Sequence, residues 1–223
     1  MKQQVAVVGL GRFGSAVAKE LVRFGHDVVG IDNDLSIVQA LSDDLSHVVQ
    51  ADATDEETLQ RLGVGDLDAA VVGITDNLET SILVTLLLKR LGVPRVIVKA
   101  RNETHGDILQ RVGADSVVYP ERDTGVRLAH SWSSASITDS LDVVEGYAIS
   151  KVAVPASIVG RTIEQAITGG NFGVTLVMLA RGPRVTVYPP GDTMLRSGDV
   201  LVMGGELAEM ERFFASIATP EHE

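Results

Sequence analysis

The chain has 223 residues, of which 45% are hydrophobic and 4% aromatic, and it carries a formal net charge of −11 with no cysteine. This length suits two modest domains, and the lack of cysteine excludes disulfides, thiolate metal ligands and a cysteine nucleophile. The negative charge repels DNA, RNA and anionic lipid over long range, which argues against nucleic acid as a partner. With no visible signal peptide and no apolar run of about 20 residues, we expect a cytoplasmic chain.

Short apolar runs alternate with segments of helical periodicity through the first half of the chain. The predicted strands are residues 5–8, 27–31, 47–50, 69–73, 95–99 and 116–119, and the predicted helices are residues 15–24, 35–45, 56–62, 78–91, 104–112 and 121–132. Strands that alternate with helices at this pitch predict a Rossmann-like α/β fold, a doubly wound parallel sheet with helices on both faces.

The second half follows a different pattern. Strands are predicted at residues 147–154, 174–180, 184–187 and 199–203, with a short helix at 162–167 and a terminal helix at 206–214. Turn signals separate these strands, so we expect a smaller C-terminal α+β lobe. The serine-rich segment 131–140 is the predicted hinge. We therefore divide the chain into a nucleotide-binding domain, residues 1–138, and a second domain, residues 139–223.

The loop Gly9-Leu10-Gly11-Arg12-Phe13-Gly14 lies between the first strand and the first helix. Gly9 allows the tight turn out of the strand, Gly11 lets the backbone approach a phosphate, and Gly14 allows the helix to pack closely on the strand. The amide groups that open the helix then face the ligand at the positive end of the helix dipole. This context predicts an adenine-nucleotide site at the loop.

Asp32 ends the second strand, where a carboxylate accepts hydrogen bonds from both ribose hydroxyls and disfavours a 2′-phosphate. We include its neighbour Asn33 in the site. The alternative is that Asp32 caps the next helix, a role equally open to Asn33 and Asp34. Asp32 suits NAD as well as ATP.

Three residues just past the third strand, Asp52, Ala53 and Thr54, are predicted to lie at the adenine edge. The alternative is an N-cap formed by Thr54 or Asp55. We also include Gly73, at the end of the fourth predicted strand, among the cofactor-binding residues.

Basic residues accompany the glycine loop. Arg12 lies inside the loop, where a guanidinium makes a forked contact with a terminal phosphate, which favours a polyphosphate such as ATP. The alternative is a solvated arginine or an ion pair between subunits. Lys99 and Arg101 follow the fifth strand and either neutralise phosphates or remain surface charges.

Catalytic groups are missing from the sequence pattern. A dehydrogenase needs an acid or base near its nicotinamide, whereas the histidines show no ligand spacing and no Ser-His-Asp set or paired carboxylates are recognisable. The sequence therefore predicts nucleotide sensing without an enzymatic reaction. Trp132 shares an apolar stripe with Val126, Leu128 and Ala129, which indicates a core or an interface.

Several segments carry a resemblance to a known family. They are the glycine loop with its flanking strand and helix, Ile31-Asp32-Asn33, Ala51-Asp52-Ala53-Thr54, Val98-Lys99-Ala100-Arg101-Asn102, Val112-Gly113-Ala114-Asp115, Tyr119-Pro120-Glu121-Arg122-Asp123-Thr124-Gly125 and Arg196-Ser197-Gly198-Asp199-Val200-Leu201. Together they resemble the RCK/KTN regulators of potassium transport, of the TrkA/KtrA type, over nearly the whole chain.

The resemblance implies an RCK N-lobe followed by an RCK C-lobe. It implies dimers formed through the helix after the sixth strand, an octameric ring of dimers, and docking of that ring on a potassium transporter of the TrkH/KtrB type. This would make the protein peripheral on the inner face of the membrane. ATP and ADP would compete for the glycine-loop site, and an NAD(H)-sensing regulator of the same fold is the alternative. A small NAD-dependent oxidoreductase is the third hypothesis.

The resemblance also implies roles for individual residues. Arg12 would contact the γ-phosphate, Asp32 would hold the ribose, and Glu121 would help to bind a divalent cation, Mg²⁺ or Ca²⁺. The alternative for Glu121 is an acid favoured by the helix dipole. In the C-lobe, residues 174–179, after Asn171 and Phe172, would line a cyclic di-AMP crevice or a plain dimer core.

Overall fold

The computed structural model describes residues 2–133, 137–167 and 173–218. The chain divides into two compact units, Met1–Pro120 and Glu121–Glu223, and each is described by itself. In the described residues, no helix is both long and apolar enough to cross a membrane.

The first unit is built on a parallel sheet. Its strands are β1 (Gln4–Val8), β2 (Asp27–Asp32), β3 (His47–Gln50), β4 (Ala69–Val72), β5 (Arg95–Lys99) and β6 (Ser116–Val118). They pair in the order β3-β2-β1-β4-β5-β6, every pair parallel. This doubly wound arrangement confirms the predicted fold class.

Five helices cover the two faces of this sheet. They are α1 (Arg12–Arg23), α2 (Leu35–Leu41), α3 (Glu56–Arg61), α4 (Leu78–Arg90) and α5 (Glu103–Val112). One core layer contains Val8, Ile31 and Val72, and the other contains Val7 and Val28. Burial on both faces explains why these strands appear in the sequence as continuous apolar runs.

The second unit is built on an antiparallel sheet. Its elements are α6 (Pro120–Ser133, starting on the last residue of the first unit), β7 (Ile137–Val144), β8 (Tyr147–Ala153), α7 (Ile163–Ala166), β9 (Val174–Arg181), β10 (Arg184–Val187), β11 (Val200–Glu206) and α8 (Leu207–Ala218). The strand order is β10-β9-β11-β8-β7. The helix α8 buries Phe213 and Phe214 against this lobe, their ring centroids 5.6 Å apart. The α+β lobe is thus as predicted.

The hinge prediction for residues 131–140 is wrong where the structure describes the segment. Residues 131–133 end α6, and Ile137–Ser140 belong to β7, which pairs with β8. Ser140 is part of the sheet and not of a linker, because its buried hydroxyl forms a 3.0 Å hydrogen bond with the hydroxyl of Ser150 on β8. Residues 134–136 fall outside the described part. The boundary between residues 138 and 139 lies inside β7 and stays a prediction.

The apolar stripe on α6 does not form a core in the single chain. Val126, Leu128 and Trp132 expose 43%, 58% and 81% of their surface. The core alternative is therefore wrong for this chain by itself, whereas the interface alternative stays a prediction.

Candidate functional site

A cleft of about 380 Å³ opens at the carboxyl edge of the parallel sheet. It is lined by Val8, Gly9, Gly11, Ile31, Asp32, Asn33, Asp34, Ile37, Ala51, Asp52, Ala53, Gly73, Ile74, Thr75, Asp76, Asn77 and Thr80. The strand order reverses between β1 and β4. Open α/β sheets bind their ligands at such a switch point, outside the carboxyl ends of the strands.

Three glycines around the cleft are required by the fold. Gly9 has a φ of +85°, and a Cβ there would lie 2.6 Å from Cγ1 of Ile74. A Cβ on Gly14 would overlap the carbonyl oxygen of Gly9, and a Cβ on Gly73 would lie 2.7 Å from the same oxygen. The β1–α1 and β4–α4 loops therefore touch through their backbones, which only glycine permits.

Gly11 is different, because nothing in the fold requires a glycine there. Its φ is −59°, and a Cβ added to it meets no atom within 4 Å. The space outside Gly11 belongs to the cleft, so a bound phosphate could approach the backbone at this point without meeting a side chain.

The start of α1 differs from the starts of α2 to α5. Side chains cap the N-termini of α2 to α5, namely Asp34, Asp55, Asn77 and Asn102. In contrast, the N-cap of α1 is Gly11, which offers no side-chain acceptor, and no acidic residue lies in its first turn. The first amide groups of a helix need an acceptor, and an anion is a suitable one.

Asp32 joins the glycine loop to β2. Its Oδ2 accepts a hydrogen bond from the Leu10 amide at 2.6 Å, and its Oδ1 accepts from the Asp34 amide at 3.0 Å. The N-cap of α2 is Asp34 and neither Asp32 nor Asn33. The half-buried Asp32 carboxylate keeps further lone pairs at the cleft, where it can accept from hydroxyl groups.

Asp52 and Ala53 line the cleft beyond β3, whereas Thr54 is not part of its lining. The Thr54 hydroxyl and amide donate to Oδ1 of Asp52 at 2.7 and 2.9 Å. These two bonds, the hydroxyl one foremost, hold the pKa of Asp52 below its usual value. Asp52 therefore remains ionised at neutral pH. It does not cap α3, because the N-cap of that helix is Asp55.

The predicted basic residues lie outside the cleft lining. Arg12 is exposed at the first position of α1. Lys99 is buried at the end of β5, with its Nζ 5.7 Å from the ring centroid of the half-buried Phe13. Arg101 is exposed, and its amide donates to Nδ1 of His105 at 3.2 Å. Seven predicted site residues line the cleft: Gly9, Gly11, Asp32, Asn33, Asp52, Ala53 and Gly73.

Sequence reasoning missed the β4–α4 side of the cleft. Ile74, Thr75, Asp76, Asn77 and Thr80 all line it. A usable signal was present, because a run of polar residues follows the fourth strand and precedes a helix. Its relevance depends on β4 lying beside β1, which the doubly wound strand order provides.

The cleft is acidic. Asp32, Asp34, Asp52 and Asp76 line it, and its described lining contains no lysine or arginine. The charge of a bound phosphate must therefore be balanced by the α1 amides, by cationic groups around the cleft, or by a metal ion.

Glu121, the predicted metal ligand, lies in the first turn of α6 in the second unit, together with Asp123. Within the described residues, no three or more histidine, aspartate or glutamate side chains are grouped so as to hold a metal ion. The role of Glu121 stays a prediction.

Comparison with known proteins identifies two matching domain families. The family model of the TrkA-N domain matches residues 5–120, and that of the TrkA-C domain matches residues 147–218. The chain is 36% identical over 213 residues to the Ktr system potassium uptake protein C of Bacillus subtilis (strain 168), covering 96% of each chain. It is 34% identical over 211 residues to the Ktr system potassium uptake protein A of the same organism, covering 95% of each.

Solved structures of the GsuK protein share the fold. The GsuK RCK domain has a TM-score of 0.52 and 26% identity, covering 97% of this chain and 46% of that one. The GsuK channel bound to NAD has a TM-score of 0.51 and 27% identity, covering 97% of this chain and 39% of that one. This chain thus spans less than half the length of those chains. Because both domain models match in order and the Ktr proteins align over almost their full length, the chain belongs to the TrkA/KtrA family of potassium transport proteins, with the RCK fold.

Proposed function

We propose that this chain is a nucleotide-sensing, non-enzymatic regulatory subunit of a potassium uptake system, with its nucleotide in the glycine-loop cleft. The observation that carries the proposal is the start of α1. It has no side-chain cap, and its N-cap residue is Gly11, which lines the cleft and has open space where a Cβ would lie. A phosphate satisfies both features, because it accepts hydrogen bonds from the helix amides and fills the space that a side chain would block.

The leading ligands are ATP and ADP. Asp32 offers acceptors to ribose hydroxyls, and Asp52 and Ala53 line the neighbouring part of the cleft. NAD(H) is the alternative, because Asp32 suits the ribose of either ligand and because one GsuK structure is that of the channel bound to NAD. Arg12 at the first position of α1 favours ATP, since a guanidinium stabilises a terminal phosphate by a forked contact.

A nucleotide can regulate a partner only if two shapes of the assembly bind it with different affinity. In this proposal Arg12 contacts the γ-phosphate, and Glu121 helps to bind a Mg²⁺ or Ca²⁺ ion beside the phosphates. The cation would supply positive charge that the acidic lining lacks. Exchange of ATP for ADP removes one phosphate and thereby changes the relative stability of the two shapes.

The proposed assembly is a homodimer formed through α6, with four dimers in an octameric ring on the cytoplasmic side of a TrkH/KtrB-type transporter. The exposed Leu128 and Trp132 on α6 support the dimer part of this proposal, because they lie one helical turn apart. The matched Bacillus subtilis proteins are named as Ktr system potassium uptake proteins, which supports a role in potassium uptake.

For the C-lobe the proposal is a plain dimer core at residues 174–179, and a cyclic di-AMP crevice is its alternative. Residues 174–179 lie in β9, next to β10 and β11, whereas Asn171 and Phe172 fall outside the described residues.

Calorimetric titration of the nucleotide-stripped chain with ATP, ADP and NADH, each with and without Mg²⁺ or Ca²⁺, tests the proposal. We expect ATP and ADP to bind tightly and the divalent ion to strengthen ATP binding. Preference for NADH over ATP would favour the redox-sensing alternative and leave Arg12 without a γ-phosphate to bind. NADH consumption with a panel of carbonyl substrates tests the oxidoreductase hypothesis, and we expect none.

A further inference from the structure

Three of the four carboxylates in the cleft are occupied by hydrogen bonds from the protein itself. Asp32 accepts from the Leu10 and Asp34 amides, Asp34 accepts from the Ser36 amide and hydroxyl, and Asp52 accepts from the Thr54 amide and hydroxyl. These bonds orient the three side chains and balance part of their charge. They explain why acidic residues are tolerated at this edge of the sheet.

Asp76 is the fourth carboxylate, and it differs from the others. Across residues 2–133, 137–167 and 173–218, it has no side-chain hydrogen bond and no ion pair. It is exposed, it lines the cleft, and it precedes Asn77, the N-cap of α4. No helix cap or packing contact among the described residues accounts for its charge.

The β4–α4 loop that carries Asp76 lies against the glycine loop. A Cβ on Gly9 would lie 2.6 Å from Cγ1 of Ile74, and a Cβ on Gly73 would lie 2.7 Å from the Gly9 oxygen. Gly11 and Asp76 line the same cleft. A phosphate at the start of α1 therefore lies in the same cleft as the Asp76 carboxylate, and no basic residue of the lining stands between them.

We propose that Asp76 is a specificity-determining residue that repels nucleotide phosphates and thereby makes ATP binding depend on a divalent cation. This inference rests on the proposed nucleotide function of the same cleft. A carboxylate near a polyphosphate raises the free energy of the bound state in proportion to the phosphate charge. A divalent cation bound beside the phosphates offsets this repulsion, so it strengthens ATP binding more than AMP binding.

The change Asp76→Asn removes the charge and keeps the shape of the side chain. In excess EDTA we expect the variant to bind ATP about three- to tenfold more tightly than the wild type, since an exposed charge acts through a partly screened field. The gain should be smaller for ADP and smallest for AMP. Calorimetry on the nucleotide-stripped full chain, in EDTA and in excess MgCl₂, gives these affinities.

In MgCl₂ the gain in ATP affinity of Asp76→Asn over the wild type should shrink. ATP binding by the variant should therefore depend less on the cation than ATP binding by the wild type. Asp66→Asn is the matched control, because Asp66 is exposed in the same unit and lies outside the cleft lining. An unchanged or weaker ATP affinity of Asp76→Asn in EDTA, or equal gains for ATP and AMP, would overturn the inference and leave the nucleotide site standing. If the wild type binds no nucleotide under any condition, the proposed function fails and this inference fails with it.

Discussion

A substitution at Gly11 can test nucleotide binding without disturbing the stability of the fold. Its φ of −59° suits any residue, and an added Cβ meets no protein atom within 4 Å. Gly11→Ala should therefore change the melting temperature of the nucleotide-free chain by less than about 2 °C. It should weaken ATP and ADP binding by about tenfold or more, because the methyl group blocks the approach of the phosphate. Thermal melting and calorimetry measure the two effects.

The control for this change is Gly191→Ala, where the added methyl group would lie 3.5 Å from Cβ of Glu164, an ordinary contact distance. Gly191→Ala should leave both the melting temperature and the nucleotide affinity unchanged. Gly14→Ala should instead destabilise the fold, because its Cβ would overlap the Gly9 oxygen. Normal nucleotide affinity in Gly11→Ala would mean that the phosphate does not lie at the start of α1.

Arg12 is the residue that distinguishes ATP from ADP in the proposed mechanism. It is exposed at the start of α1 and has no ion-pair partner within the described part of the chain. Arg12→Ala should weaken ATP binding by about tenfold and ADP binding by about threefold or less, since a charge-assisted forked contact is lost only with the γ-phosphate. Titration of both nucleotides measures the difference.

Arg23→Ala is the matched control, because Arg23 ends the same helix and pairs with Glu20 instead of a ligand. It should bind both nucleotides as the wild type does. Equal losses for ATP and ADP in Arg12→Ala would argue that Arg12 senses the shared phosphates or supports the loop.

The sequence predicted those features of the candidate site that follow from local backbone geometry. The tight turn after β1 requires Gly9, and the close packing of α1 on the loop requires Gly14. Asp32 was predicted because it ends a strand, and its carboxylate accepts a hydrogen bond from the Leu10 amide. Asp76 was missed because its place in the cleft depends on β4 pairing with β1, where each residue pairs with the residue 64 positions later, for example Val5 with Ala69. The polar run after the fourth strand indicates a place in the cleft only when the strand order of the doubly wound fold is taken into account.

At the scale of elements, Asp199 connects the start of β11 to β9. It is 1% exposed, and its carboxylate accepts from Nε and an Nη of Arg181, both at 2.7 Å, and from the Arg196 amide at 2.8 Å. The hydrogen bonds from Arg181 are the main reason that the pKa of Asp199 lies below its usual value. Burial opposes this effect, so the ion pair must be intact for the carboxylate to stay ionised.

Asp199→Asn should lower the opening free energy of β9 and β11 by about 2 kcal/mol at neutral pH, because the forked ion pair is lost. The folded pKa is lower than the unfolded one. The stabilisation by Asp199 is therefore fully present above the unfolded pKa of about 3.9 and is lost as the pH falls through the folded pKa. Hydrogen exchange of the amides in β9 and β11 measures the opening free energy, and the gap between variant and wild type should narrow towards acid pH.

The exposed Asp192 supplies the control, and Asp192→Asn should leave exchange in both strands unchanged. A gap that stays constant down to the acid limit would show that Asp199 acts through packing and not through its charge.

Elements of the first unit were easier to predict than those of the second. Buried parallel strands such as β1 and β4 give continuous apolar runs, and four of the five α-helices of this unit, all except α2, are closed by a glycine. The strand β7 was missed because serine and aspartate resemble a linker locally. Its pairing with β8 places Ser140 in the buried layer beside Ser150, and that depends on a neighbouring strand.

At the scale of the whole molecule, the proposed switch requires copies of the chain to act together. Trp132 exposes 81% of its surface and Leu128 58% on α6. Large exposed apolar side chains one turn apart are typical of an interface between chains. Trp132→Asp should leave the melting of the first unit unchanged and convert the assembled protein to smaller species in sedimentation velocity experiments.

Tyr188→Asp tests whether this effect is specific, because Tyr188 is an aromatic residue of the same unit with 75% of its surface exposed. The Tyr188→Asp variant should assemble as the wild type does.

If the nucleotide site is shared between subunits, Trp132→Asp should also lower the affinity for ATP more than that for AMP, since AMP lacks the terminal phosphates that a partner subunit would contact. Calorimetry on the smaller species measures both affinities. Unchanged sedimentation would place the dimer contact elsewhere, whereas smaller species with unchanged ATP affinity would show that each chain holds its nucleotide alone.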